Sequence, residues 1–255
     1  MGKEFAPLHP FSSVKKVVAV IGGKGGVGKS LVTDMLAVTL QRRGYSVGIL
    51  DADLTGPSVP RAFGLTENAK GSADGIYPEI TKFGIQIMSM NLLLEDPTEP
   101  VVWRGAVLSE YVKSFWSRVV WTDLDVLLVD APPGTGDIPL TVLTALPLNG
   151  VVAVSTPQEL SVGIAEKAVR EAQDVGVRVL GAVLNQAYYV CPDCGKKHYV
   201  YGKKDPSEWK KIFATSVVCE IPIDEDLPRQ TDMGLIELFE EDYLEAFCDE
   251  LEKKW

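Results

Sequence analysis

The chain has 255 residues, 46% of them hydrophobic, enough to build one α/β domain with a substantial core. Its 35 acidic and 25 basic residues leave a net charge of −10, which argues against a broad nucleic-acid footprint. No apolar stretch approaches the roughly 20 residues of a membrane helix. Met1 to Pro10 carry no signal-peptide core, and Ala6 stands where a myristoylation signal wants Ser or Thr. The expected setting is therefore soluble and cytoplasmic, with neither nucleic acid nor membrane as partner.

Residues 1–13 read as a polar, proline-containing, flexible lead, and residues 14–255 as the domain. Val17–Ile21 is an apolar run of strand type. A glycine-rich loop follows it, and then a helical pattern to about Arg43, with Gly44 suited to end that helix. Val47–Leu50 reads as a second strand, closing on Asp51-Ala52-Asp53. Residues 54–75 read as a switch-like loop, a short helix and another loop. Ile85–Met88 is a third strand, residues 91–105 a loop, and Val107–Val120 a helix with Leu108, Tyr111, Val112 and Phe115 on one side. Val126–Val129 is a strand ending in Asp130. Gly150–Ser155, Val179–Leu184 and Val217–Ile221 are further strands, separated by helices such as Val162–Val175. Residues 186–206 are the one candidate insertion. The chain closes on an acidic helix, Leu235–Lys253, with Leu238, Leu244, Phe247 and Leu251 on one face. Apolar runs without alternation imply strands buried on both faces. Their alternation with helices implies a mostly parallel, doubly wound sheet flanked by helices.

The loop Gly23-Lys24-Gly25-Gly26-Val27-Gly28-Lys29-Ser30 has the spacing G-x-x-x-x-G-K-S between a strand and a helix, the pattern of a P-loop NTPase. Glycines let successive N–H groups curl around a phosphate, and the helix N-terminus adds more donors. Lys29 is placed to reach the β and γ phosphates, and Ser30 to put a hydroxyl on Mg²⁺. Ligands in such sheets bind beyond the carboxyl ends of the strands, where three acids lie. Asp130 closes an aliphatic strand as a water-mediated Mg²⁺ ligand does. It leads into Ala131-Pro132-Pro133-Gly134-Thr135-Gly136-Asp137, a stiff segment able to sense a γ-phosphate. Asp53 is the candidate for orienting or deprotonating the attacking water, and Asp51 for supporting the metal shell, although spacing alone leaves these two interchangeable. Asn185 ends another strand. GTPases pair such an Asn with an acid that reads guanine. Here position 188 is Tyr188, so the nucleotide expected is ATP.

Cys191-Pro192-Asp193-Cys194-Gly195 forms a knuckle whose two thiols can face one metal. Two thiolates are half a tetrahedral shell. Cys219 and Cys248 stand alone in a strand and a helix. His198 is a possible third ligand, although the lysines around it also fit a solvated loop. The simplest completion is a second copy of the chain, with four cysteines across a two-fold axis holding either Zn²⁺ or a 4Fe–4S cluster. A thiol–disulfide role is weaker, because such pairs open a helix after a strand.

With Lys24 in its phosphate loop, the sequence resembles the deviant Walker A ATPases of the MinD, ParA and nitrogenase iron-protein group. Within that group it is similar to the Mrp/ApbC branch of iron–sulfur cluster carriers. The motifs are Asp51-Ala52-Asp53-Leu54-Thr55-Gly56-Pro57-Ser58, Trp103-Arg104-Gly105, the Asp130–Asp137 run, Ser155-Thr156-Pro157-Gln158-Glu159 and the cysteine pair. They span Val17 to about Gly234. The resemblance implies an ATP-dependent homodimer in which Lys24 reaches the phosphates across the dimer. It implies that Cys191 and Cys194 of two subunits bridge one 4Fe–4S cluster, which is handed to recipient apoproteins. The N-terminal cysteine group and extra N-terminal domain of some relatives have no counterpart here, so the expectation is a single shared cluster.

Two other readings compete. A positioning or partition ATPase would want a basic amphipathic tail or a basic face, whereas Glu237–Glu252 is acidic. A nucleotide-switched dimer held by Zn²⁺ differs from the cluster carrier only in its metal.

Overall fold

The computed structural model describes residues 5–53, 56, 58–94 and 105–255, with the side chains of 105–108, 137 and 138 outside the description. Leu54, Thr55, Pro57, Trp103 and Arg104, all in the motifs above, lie outside the described residues, as does most of the expected loop 91–105.

Strand β1 (Val14–Gly22) leads through the glycine-rich loop into α1 (Lys29–Arg42) and then β2 (Val47–Asp51). A one-turn helix α2 (Val59–Ala62) and a hairpin of β3 (Gly71–Ser72) and β4 (Gly75–Ile76) follow. Next come β5 (Glu79–Ile80), β6 (Gln86–Ser89), α3 (Gly105–Arg118) and β7 (Leu124–Asp130). The second half runs α4 (Asp137–Ala145), β8 (Gly150–Ser155), α5 (Glu159–Asp174) and β9 (Val179–Leu184). A hairpin of β10 (Tyr189–Val190) and β11 (Lys197–His198) precedes α6 (Pro206–Ile212), β12 (Val218–Glu220), α7 (Asp226–Asp232) and α8 (Glu245–Glu252).

The main sheet has the order β12-β9-β8-β1-β7-β2-β6-β5 and is parallel except for β5. Val17 to Ile21 of β1 are all buried, as a strand covered on both faces requires. One core layer holds Phe115, Trp116 and Trp121 with the α5 face, and the other packs α1 and α8 over the opposite side of the sheet. Register does the positioning. Val20 of β1 lies opposite Asp130 of β7, and Asp130 lies opposite Asp51 of β2. Both acids therefore emerge side by side where β1 runs into the phosphate loop.

Two sequence expectations differ from the structure. Residues 6–13 are held down rather than loose. The Ala6 N–H donates to the Ala145 carbonyl (2.9 Å), and the Ala6 carbonyl accepts from Trp116 Nε1 (2.9 Å). Ser12 Oγ donates to the Val119 carbonyl and accepts from the Trp121 N–H (3.1 and 2.8 Å). The acidic C-terminal segment is not one helix from Leu235. A 3₁₀ turn at Ile236–Leu238 gives way to extended backbone at Phe239, and α8 begins only at Glu245. Contacts to α1 break it. Arg42 donates to the Glu237 and Phe239 carbonyls (3.1 and 2.5 Å). Asp242 accepts from Thr39 Oγ1 (2.8 Å) and from the Leu244 N–H (3.1 Å), so its side chain caps the next helix instead of extending the last. Leu244, Phe247 and Leu251 are buried as the pattern predicts, whereas Leu238 is 51% exposed.

This difference can be measured. Leu244→Ala should cost about 2–5 kcal/mol of unfolding free energy in urea, and Leu238→Ala less than about 0.5. Equal costs would restore the continuous amphipathic helix.

Candidate functional site

The phosphate loop is shaped by close packing. Gly23 is buried against α5, where a Cβ would lie 2.3 Å from the Ala165 nitrogen and the Ile164 carbonyl carbon. Gly28 has φ +84°, and a Cβ there would lie 2.1 Å from Asn185 Nδ2. Both positions require glycine on steric grounds. Val27 is buried in the core and anchors the loop from below. Gly28 precedes α1 with no side-chain cap, and no acid stands in the first turn, so the N–H groups at that end are not engaged by a cap. Gly25 and Gly26 are exposed, as is Lys24, which lines the rim of a cavity of about 310 Å³ with Lys29, Ser30 and Asp53.

Beneath the loop lies a charge cluster. Lys29 Nζ is 2.6 Å from Asp130 Oδ1 and 3.9 Å from Asp53 Oδ2. Ser30 Oγ donates to Asp130 Oδ2 (2.6 Å), and Thr33 Oγ1 to Asp130 Oδ1 (3.0 Å). Asp51 accepts from Ser89 Oγ (3.0 Å) and from the Asp53 N–H (3.2 Å). Lys29 is the only buried cationic side chain among the described residues, and Asp34, Asp51 and Asp130 are the buried carboxylates there. Burial first, and then the charge of Asp130, pushes the Asp51 carboxyl up to about 8, against the pull of Lys29 and Ser89. Asp34, 1% exposed, is raised well above the usual carboxylate range by the same two causes, and its Oδ1 has no hydrogen-bond partner. An oxygen-rich pocket with more negative charge than one lysine neutralises suits a hard divalent cation. Ser30, Asp130 and Asp51 are the residues that fit Mg²⁺.

Two residues of this cluster escape motif reading. Thr33 and Asp34 lie beyond the loop pattern. Asp34 is four residues from Ser30, on the same helix face, and that spacing was the available signal. Asn185 sits against the phosphate loop. Its side chain is buried, with Nδ2 donating to the Val27 carbonyl (3.0 Å) and Oδ1 accepting from the Gln186 N–H (3.0 Å). It clamps the phosphate loop through the Val27 carbonyl. In the Asp130–Asp137 run, the Gly134 N–H ties back to the Gly22 carbonyl (3.1 Å) and Pro133 lines the cavity.

The cysteine pair occupies the tip of the β10–β11 hairpin. The Cys191 N–H donates to the Lys196 carbonyl (3.0 Å), and the Gly195 N–H to the Cys191 carbonyl (2.8 Å). Gly195 turns with φ +67°. The N–H of Cys194, and next that of Asp193, hold the Cys191 thiol below its ordinary range. Burial instead pushes the Cys219 thiol up to about 11 and the Cys248 thiol up to about 12. His198 lies opposite Tyr189 in the hairpin. Among the described residues, no third His, Cys, Asp or Glu side chain gathers with these two thiols.

The profile of the ParA/NUBPL iron-transfer P-loop NTPases matches residues 13–252. The chain belongs to this family. It is 42% identical over 235 residues to an iron–sulfur cluster carrier protein of Clostridium perfringens, covering 89% of this chain and 82% of that one. To the mouse iron–sulfur cluster transfer protein NUBPL it is 36% identical, covering 92% of this chain and 74% of that one. A nucleotide-binding protein of Archaeoglobus fulgidus, solved in complex with ADP, superposes with a TM-score of 0.82 at 43% identity over 92% of both chains. The Pyrococcus furiosus cell division ATPase MinD shares the fold, with a TM-score of 0.65 at 22% identity over 94% of this chain and 98% of that one. The family makes this chain a P-loop ATPase.

A raised Asp51 has a sign. The folded chain keeps a proton that the unfolded chain releases near pH 4, so Asp51 makes stability fall as pH rises from about 4 to about 8. In chelator-treated protein, Asp51→Asn should flatten that part of the decline in urea midpoint. An unchanged slope would mean that Asp51 is ionised throughout.

Proposed function

We propose that this chain is an ATP-hydrolysing carrier that holds a 4Fe–4S cluster between two copies of itself and delivers it to recipient apoproteins. One observation carries the reading. A phosphate loop over buried acids and a pair of cysteines at a hairpin tip, one of them thiolate-prone, belong to the same family domain, and that pair is half a metal shell. The Archaeoglobus relative solved with ADP and the relatives named as cluster carriers support it.

In this reading Lys29 turns from Asp130 to the β and γ phosphate oxygens, which frees Asp130 Oδ1 beside the Ser30 hydroxyl. Those oxygens, with Asp51, would hold Mg²⁺, which when bound neutralises phosphate charge. Gly25 and Gly26 offer N–H groups to the phosphates, and Lys24 reaches them from the partner copy. Asn185 and α5 keep the loop from relaxing. Asp53, next to Lys29 and at the cavity wall, orients the attacking water or takes its proton. The cluster is cargo. Cys191 and Cys194 of each copy ligate it, and ATP-dependent closure of the dimer sets the geometry of those four thiolates.

Two experiments test the two halves. Asp53→Asn should lower ATP turnover by about 10²–10⁴-fold while leaving nucleotide binding within a few-fold by calorimetry; matching losses would make Asp53 structural. Cys191→Ser should abolish the 4Fe–4S absorbance after anaerobic reconstitution and leave ATP binding intact. Metal analysis of the purified dimer that finds zinc, without iron and sulfide, would replace the cluster by the zinc-held switch.

A further inference from the structure

Of the buried carboxylates beneath the phosphate loop, two have partners that account for them. Asp130 accepts from Lys29, Ser30 and Thr33, and Asp51 from Ser89 and the Asp53 N–H. Asp34 does not fit this pattern. It is 1% exposed, and its Oδ1 has no hydrogen-bond partner. Among the described residues, the other buried side-chain atoms left unpaired belong to Trp121, Thr156 and Trp209, none of which lines the nucleotide cavity. Asp34 does line it, together with Ser30, Asp53, Ala62 and Thr231. A buried acceptor without a donor is costly, so its place in the wall of this cavity points to a donor that arrives with the ligand.

The geometry of α1 narrows what that donor is. Ser30 and Asp34 are four residues apart on one helix face, a rise of about 6 Å. The Ser30 hydroxyl meets Asp130 at the head of the helix (2.6 Å), where the cation of the proposed function would be held. From there Asp34 is one helical turn away, too far to share an oxygen with the cation and near enough for one water to span the interval. Mg²⁺ keeps several of its waters when it binds with a polyphosphate. The charges around Asp34 favour the same occupant. Asp130 and Asp51 repel its carboxylate, and Lys29 attracts it. When Lys29 turns to the phosphates, that counter-charge leaves the acids and the cation takes its place.

We infer that Asp34 is a positioning residue of the metal site: its free oxygen accepts a hydrogen bond from a water on the Mg²⁺ held with the nucleotide by Ser30 and Asp130. The inference rests on the ATP-hydrolysing half of the proposed function and is independent of the cluster. Partners one shell out from the ligands change metal affinity about 10–100-fold.

The test uses the full-length, cluster-free protein and reads ADP affinity by calorimetry, first in EDTA and then in saturating Mg²⁺. Asp34→Leu keeps the branching of the side chain and removes the acceptor. Asp34→Asn keeps an acceptor oxygen and removes the charge. The enhancement of ADP affinity by Mg²⁺ should fall about tenfold in Asp34→Leu. It should fall by a few-fold in Asp34→Asn, whose oxygen still accepts but without charge assistance. ADP affinity in EDTA should not fall in either variant. Mn²⁺ bound to the ADP complex, read as loss of the free-ion EPR signal, should weaken in the same order. Asp34→Asn decides alone if Asp34→Leu does not fold. An unchanged enhancement in the folded variants would overturn the inference. ADP affinity lost equally with and without metal would also overturn it, by making Asp34 part of the scaffold. So would turnover that falls in saturating Mg²⁺ with the enhancement intact, which assigns Asp34 to the attacking water. Ser30→Ala is the control for the underlying reading. A wild type without enhancement, or an enhancement unaltered in Ser30→Ala, overturns the metal site itself. An enhancement lost in Ser30→Ala and kept in the Asp34 variants overturns the role of Asp34 alone.

Discussion

Two carboxylates side by side under a phosphate loop set the terms for this molecule. Parallel pairing of β7 with β2 places Asp130 opposite Asp51, and pairing with β1 brings both to the root of the glycine-rich loop. Neither is exposed, and Lys29 is the counter-charge within reach. Buried charge of one sign is tolerated only when neutralised by a proton, a cation or a metal. The high affinity of Asp51 for a proton and the unpartnered Oδ1 of Asp34 express the same excess. The energy that burial costs here is what gives the site its preference for a divalent cation bound with a polyphosphate.

The loop above this cluster is rigid for reasons of space. Helix α5 leaves no room for a side chain at Gly23, and Asn185 leaves none at Gly28. The clamp from Asn185 to the Val27 carbonyl joins β9 to the loop. The same β9 continues into the cysteine hairpin, so one strand touches both halves of the proposed machine. That continuity gives a short covalent route between nucleotide and thiols, although coupling in the dimer would also depend on the closure of two copies.

Charge is distributed unevenly around these sites. The segment Glu237–Glu252 spends part of its negative charge on α1, through Arg43 to Asp249 and Glu252 and through Asp242 to Thr39. The acidity of that segment is thus partly structural. Lys197, Lys203 and Lys204 lie over the rings of Tyr188, Tyr199 and Trp209.

The amino-acid order by itself determined the doubly wound sheet, the phosphate loop, the acids Asp51, Asp53 and Asp130 at or just past strand ends, and the turn that pairs Cys191 with Cys194. These are local signals, since an apolar run, a glycine spacing and a Cys-x-x-Cys turn each act within a few residues of chain. Family membership was legible in the same motifs. Tertiary structure alone decided the rest. Asn185 became a clamp because β9 lies two strands from β1 with its end beside the loop. Asp34 joined the charge cluster because α1 turns it inward over β7 and β2. The C-terminal helix broke because Arg42 and Thr39 compete for its backbone carbonyls and the Asp242 side chain. Each of these depends on contacts between residues about 100 to 200 positions apart, and no local pattern encodes a partner at that distance.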